Sequence, residues 1–160
     1  METFGKALPE GHPSIATSYD NIGVEYSELG DHEKALEYCL KALEIREKAL
    51  PEGHPSIATS YNNIGVEYSK LGDHEKALEY GMKALEIRMK VLPKNHPDFI
   101  SSLRNVGAYY KNLGNRKKAK EYFRRADMSK AISKHENLVG DLPSGVSGGK
   151  RSFWYGLRKH

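Results

Sequence analysis

The chain has 160 residues, 38% of them apolar and 29% charged, with a formal net charge of +4. That is one domain's length, with no apolar run near the roughly 20 residues that cross a bilayer. The start, Met1-Glu-Thr-Phe-Gly-Lys, lacks the basic-then-apolar pattern of a secretory leader. Its single cysteine, Cys39, excludes an intrachain disulfide and a thiolate zinc site, and predicts a reduced, cytoplasmic setting.

Self-comparison at an offset of 42 organises the chain. LPEGHPSIATSY at 8–19 recurs identically at 50–61, and LPKNHPDFISSL at 92–103 is a looser third copy. Residues 1–7 align with the last turns of a preceding helix, and three repeats follow at 8–49, 50–91 and 92–133. The first two differ at only six of 42 positions: Asp20/Asn62, Glu28/Lys70, Cys39/Gly81, Leu40/Met82, Glu47/Met89 and Ala49/Val91. A fixed period of 20–50 residues signals a solenoid of stacked units.

Each unit reads as a helical hairpin. Pro13 sits just inside a helix start, where its missing N–H costs nothing. Ile15, Ala16, Tyr19, Ile22, Gly23 and Tyr26 then recur at three- and four-residue spacing, forming one apolar face. Gly30 ends this helix and Asp31 caps the next. The second helix carries Ala35, Leu36, Cys39, Ala42, Leu43 and Ile45, and stops near Leu50-Pro51. Gly81, where the third copy has Phe123, is expected to cost about 1 kcal/mol relative to Ala in a helix interior. No segment alternates as a strand would, so the fold class is all-α. Residues 134–139 extend the last helix, and 140–160 read as a flexible Gly/Ser linker with an aromatic and basic tail around Phe153, Trp154 and Tyr155.

Tyr19-x2-Ile22-Gly23-x2-Tyr26, followed by Gly30, Ala35 and Ala42, resembles the tetratricopeptide repeat (TPR). The match recurs at Tyr61, Ile64, Gly65, Tyr68, Gly72, Ala77 and Ala84. With a period of 42, HP at the helix start, Asn-Ile-Gly in mid-helix and ALEIR near the end, the array resembles the kinesin-light-chain and nephrocystin type over residues 8–133. The resemblance implies a right-handed superhelix whose first helices line a concave face, and a non-enzymatic scaffold that binds a peptide or helix there. The implied groove positions in the first repeat are Thr17, Asp20, Asn21, Val24, Ser27 and Glu28. Their counterparts are Thr59, Asn62, Asn63, Val66, Ser69 and Lys70, then Ser101, Arg104, Asn105, Ala108, Lys111 and Asn112. Asn21, Asn63 and Asn105 fall where related repeats clamp a ligand's backbone with a carboxamide that both donates and accepts. The alternative for each is a bond to the neighbouring hairpin. Arg46 and Arg88 match a family position near the groove, and Lys130 stands there in the third copy. The TPR clamp for acidic C-terminal tails wants Lys and Asn where this chain has Asp20 and Val24, so that ligand class is not expected.

Other chemistry fares worse. His12, His54 and His96 recur one unit apart, as do His32 and His74, so they do not converge on a metal. The stretch 144–151 has the wrong spacing for a phosphate loop and no strand before it. No nucleophile–base arrangement stands out, so neither catalysis nor a cofactor is expected. The charge is unevenly spread: repeat 1 carries a net −5, repeat 2 −1 and repeat 3 +7. The basic run Arg116, Lys117, Lys118 and Lys120, with Arg124 and Arg125, offers phosphates or anionic lipids a surface. Stacking aromatics do not interleave it, so nucleic acid and membrane rank behind a protein partner, and a solvated helix face is the plainer reading. An acidic start and a basic end, with the first hairpin's apolar face lacking a neighbour, predict a second possibility: a structural module, or homo-oligomer, that self-associates through its ends.

Overall fold

The structure, a computed structural model, describes residues 11–140. The expectations for residues 1–7 and for the aromatic tail lie outside the described residues. Among the described residues six helices run in order: α1 Pro13–Glu28, α2 His32–Ala49, α3 Pro55–Lys70, α4 His74–Val91, α5 Pro97–Asn112 and α6 Arg116–Gly140. They form three hairpins, and each packs on the next through α2 against α3 and α4 against α5. The chain is an all-α helical-repeat solenoid.

The helix boundaries follow from caps repeated at each unit. Pro13, Pro55 and Pro97 open the first helices. The residue before each proline supplies the cap: His12, His54 and His96 accept the N–H two residues on through Nδ1, at 3.1 Å each. These histidines attract attention in the sequence only as failed metal ligands. Their role is to satisfy an orphan amide at a helix start with a ring nitrogen in place of the usual hydroxyl or carboxylate. Asp31, Asp73 and Asn115 do the same for the second helices, accepting from the N–H three residues on at 3.1 Å. The glycines before these caps, Gly30, Gly72 and Gly114, have φ of +81, +86 and +80°, the left-handed region that stops a helix without a Cβ penalty.

Small residues set how closely the helices approach. Ala16, Ala35, Ala42, Ala58, Ala77 and Ala84 are fully buried where backbones meet. A Cβ on Gly23 would lie 3.3 Å from the carbonyl oxygen of Ala35, so α1 rests directly on α2. Cys39, Leu43, Ile57 and Ile64 fill the first joint, and Leu85, Phe99, Leu103, Val106 and Ala126 fill the second and the third hairpin. Gly81 turns out to be more than a weak point in α4. A Cβ there would fall 2.8 Å from Cε2 of Tyr109, a buried ring reaching across from α5. The missing side chain is the space that Tyr109 occupies.

Candidate binding surface

The first helices are tied side by side, so their polar stripes share one face. Between α1 and α3, Lys70 Nζ reaches Ser27 Oγ, and between α3 and α5, Asn105 Nδ2 donates to Asn62 Oδ1 at 3.0 Å. Thr17, Asn21, Val24, Glu28, Lys70 and Arg104 are exposed on this face, and Asn62, Asn63, Val66, Asn105 and Ala108 are half-buried. At the first joint a cleft of about 300 Å³ is lined by Gly23, Val24, Ser27, Glu28, Cys39, Asn63, Val66, Glu67 and Lys70. It brings together six of the expected groove residues: Val24, Ser27, Glu28, Asn63, Val66 and Lys70.

The three candidate asparagines part company. Asn105 bonds Asn62 on the neighbouring first helix. Asn21 is exposed near the start of the array. Asn63 lines the cleft. The two joints also differ at one decisive place. Where α5 sends Tyr109 into the notch of Gly81, α3 has Glu67 facing Cys39, and no ring fills the space.

Glu67 is only 5% exposed and is held from three sides. Ser27 Oγ donates to it at 2.9 Å, Lys70 Nζ lies 3.1 Å away, and His32 Nδ1 is 2.9 Å from its second oxygen. A buried carboxylate needs such partners to offset its lost hydration. Burial pushes the Cys39 thiol beside it up to about 12, with the Asp20 and Glu67 carboxylates adding to the effect. That keeps the sulfur protonated and a poor nucleophile.

Arg46 and Arg88 take positions the family register does not suggest. Both are buried and cross to the next hairpin. Arg46 pairs with Asp20 Oδ2 at 2.5 Å and donates to Ser60 Oγ at 2.6 Å. Arg88 donates to Ser102 Oγ at 2.8 Å and to the carbonyl of Asp98 at 3.1 Å, and burial lowers its pKa from the ordinary value. They are struts between units, and Asp20 is occupied with one of them. In the third hairpin Arg104 stands in the Asp20 place and pairs with Asp127 at 2.8 Å across an exposed surface, and Lys130, in the Arg46 place, is exposed.

In the basic run, Arg116, Lys117, Lys118, Lys120 and Arg124 are exposed and Arg125 is half-buried. Aromatic rings do lie alongside, Tyr122 from within the run and Tyr110 from α5. Lys118 Nζ is 5.0 Å from the Tyr110 ring centre and the Arg125 guanidinium 5.0 Å from that of Tyr122. The two rings stack on each other, so they serve the fold and hold their cations. Among the described residues no helix is long and apolar enough to cross a membrane.

A family model for the tetratricopeptide repeat matches residues 14–90 and again 57–126, together more than half of the chain. No curated protein is a significant match to the sequence. A Podosopora anserina protein assigned as a kinesin light chain with nearly identical TPR-like repeats aligns at 24% identity and a TM-score of 0.70, over 76% of this chain and 58% of that one. BtubC (BKLC) from P. vanneervenii aligns at 27% identity and 0.70, over 84% of this chain and 52% of that one. The chain thus spans little more than half the length of either. The TPR domain of Arabidopsis FLU shares the fold at 18% identity and a TM-score of 0.62, over 75% of this chain and 95% of that one.

Proposed function

The chain belongs to the tetratricopeptide repeat family, and from that premise we propose that it is a protein-interaction module holding an extended peptide or a helix along the face lined by α1, α3 and α5. TPR folds in general mediate protein–protein contacts and are typically non-enzymatic scaffolds. The finer assignment, a ligand seated at the first joint, rests on one observation above the others. Asn63 is the candidate asparagine that both lines a cleft and, among the described residues, makes no side-chain hydrogen bond. A free carboxamide beside apolar Val24 and Val66 suits a peptide backbone passing over a small apolar side chain. Exposed Glu28 and Lys70 at the rim would select the ligand's charges. The protonated, buried Cys39 thiol offers no nucleophile, and a cytoplasmic setting suits a free thiol.

The test is a random-peptide display selection on the immobilised full chain, followed by titration of recovered peptides against Asn63→Ala. Losing a backbone clamp should weaken binding about tenfold, or ~1.4 kcal/mol. Oligomeric state and helical content should not change. Recovered peptides that bind Asn63→Ala as tightly as the parent would move the site elsewhere.

A further inference from the structure

We propose that the outer face of α1 is a docking surface for the α6 end of a second copy, in the register that the internal joints already use. This surface adjoins the groove and shares Glu28, Arg104 and Lys111 with it, but its test reads oligomeric state and so does not depend on the groove reading.

Four of the positions by which α3 meets the preceding hairpin are Ile57, Ser60, Ile64 and Glu67, all buried. Helix α1 carries the same residues one unit earlier, Ile15, Ser18, Ile22 and Glu25, and there Ser18, Ile22 and Glu25 are exposed. It is built as an interior helix, yet among the described residues no hairpin packs on this face. What covers such a face is on view at the first joint, where Arg46 reaches Ser60, His32 reaches Glu67 and Lys70 reaches Ser27.

The last hairpin presents the charge complement in that register. Lys130 occupies the Arg46 place and would meet Ser18 of the second copy. Arg116 occupies the His32 place and would meet Glu25. Lys111 occupies the Ser27 place and would meet Glu28. All three cations are exposed. Beside Lys130 an open cleft of about 500 Å³, lined also by Pro97, Ile100, Arg104 and Lys134 among others, takes the place in the last hairpin that faces α3 in the first. Asp127 replaces the buried Leu43 and Leu85, so this contact lacks the apolar seam of the internal joints. It is a charge-guided, salt-sensitive contact between unlike faces, which propagates head to tail unless it closes into a ring.

The experiment is light scattering after size exclusion over a concentration series, from about 0.01 M to about 1 M salt, where the screening length falls from about 30 Å to about 3 Å. Glu25→Lys, Arg116→Glu and the chain carrying both are compared with the parent, with far-UV circular dichroism confirming that each is folded. The parent should associate at low salt and dissociate at high salt. Each single reversal should weaken association by about tenfold or more. The double reversal should restore it, and the two single variants should pair when mixed. Should Arg116→Glu not fold, Lys111→Glu takes its place against Glu28→Lys. A monomer throughout would overturn the proposal and leave α1 covered by residues of its own chain or open. Association that Glu25→Lys abolishes and Arg116→Glu leaves intact would mean α1 pairing with α1, and would overturn it too.

Discussion

Replacing Arg46 by Met should cost far more than the same change at Arg88, although the two residues occupy equivalent places in nearly identical repeats. Both guanidinium groups are buried, and Met preserves most of the stem packing. The difference is what each leaves behind. Removing Arg46 strands Asp20, whose side chain is 13% exposed and whose second oxygen is buried without a partner. An uncompensated charge in such a place costs about 3–5 kcal/mol. Removing Arg88 strands only neutral acceptors, the Ser102 hydroxyl and the Asp98 carbonyl, at about 1–3 kcal/mol. Asn62 stands where the first repeat has Asp20, so no carboxylate is orphaned. The expected gap is about 2 kcal/mol, and Asp20→Asn added to Arg46→Met should close most of it. Urea unfolding followed by circular dichroism measures this directly, with an unchanged slope confirming that midpoints can be compared. Equal losses for the two arginine variants, or a double variant no better than Arg46→Met, would refute the argument.

Two further outcomes follow from the joints. Gly81→Ala should lower stability by about 1 kcal/mol: overpacking against the buried Tyr109 ring, commonly 1–3 kcal/mol, outweighs the propensity gain of about 1 kcal/mol. Thermal melting checks the sign, and a raised midpoint would mean that Tyr109 yields its place cheaply. Alkaline pH should also destabilise the fold, because burial pushes Cys39 and Tyr109 up to about 12. Their protonated forms are favoured in the folded chain, so this stability is intact below the ordinary thiol value near 8.5 and is lost as pH climbs through about 12. Stability unchanged from pH 8 to the onset of that window, with iodoacetamide labelling Cys39 only after urea unfolding, is the expected pattern; rapid labelling of the folded chain would contradict it.

The hairpins were legible in the sequence because period, proline, glycine and cap residues all point the same way. Gly30 and Asp31 announce a stop and a start by their own chemistry. What escaped was whatever depends on the neighbour. Glu25 and Glu67 sit in the same sequence context, yet one is exposed and the other is enclosed by Ser27, His32 and Lys70. No reading of a single repeat separates them. The arginine struts were hidden for a related reason: their partners Ser60 and Ser102 lie 14 residues downstream, across a turn. The signal available was the serine kept at 18, 60 and 102, on the face that should have been apolar. Of the groove, the stripe could be read from spacing, but which asparagine was free could not, because that turned on the Asn62–Asn105 bond.

The notch at Gly81 fixes the order of the units. Near-identical tandem stretches invite unequal recombination, and loss of one 42-residue period would leave a chain that is still in frame and still patterned for hairpins. Removing residues 50–91, however, would set Cys39 of the first unit where Gly81 now receives Tyr109. Even a bare Cβ would fall 2.8 Å from that ring, and the cysteine brings a sulfur as well. The shortened product would carry its clash at its only joint. Two repeats alike at all but six positions are therefore not interchangeable parts, because Gly81 lets Tyr109 follow the second and Cys39 would bar it from following the first.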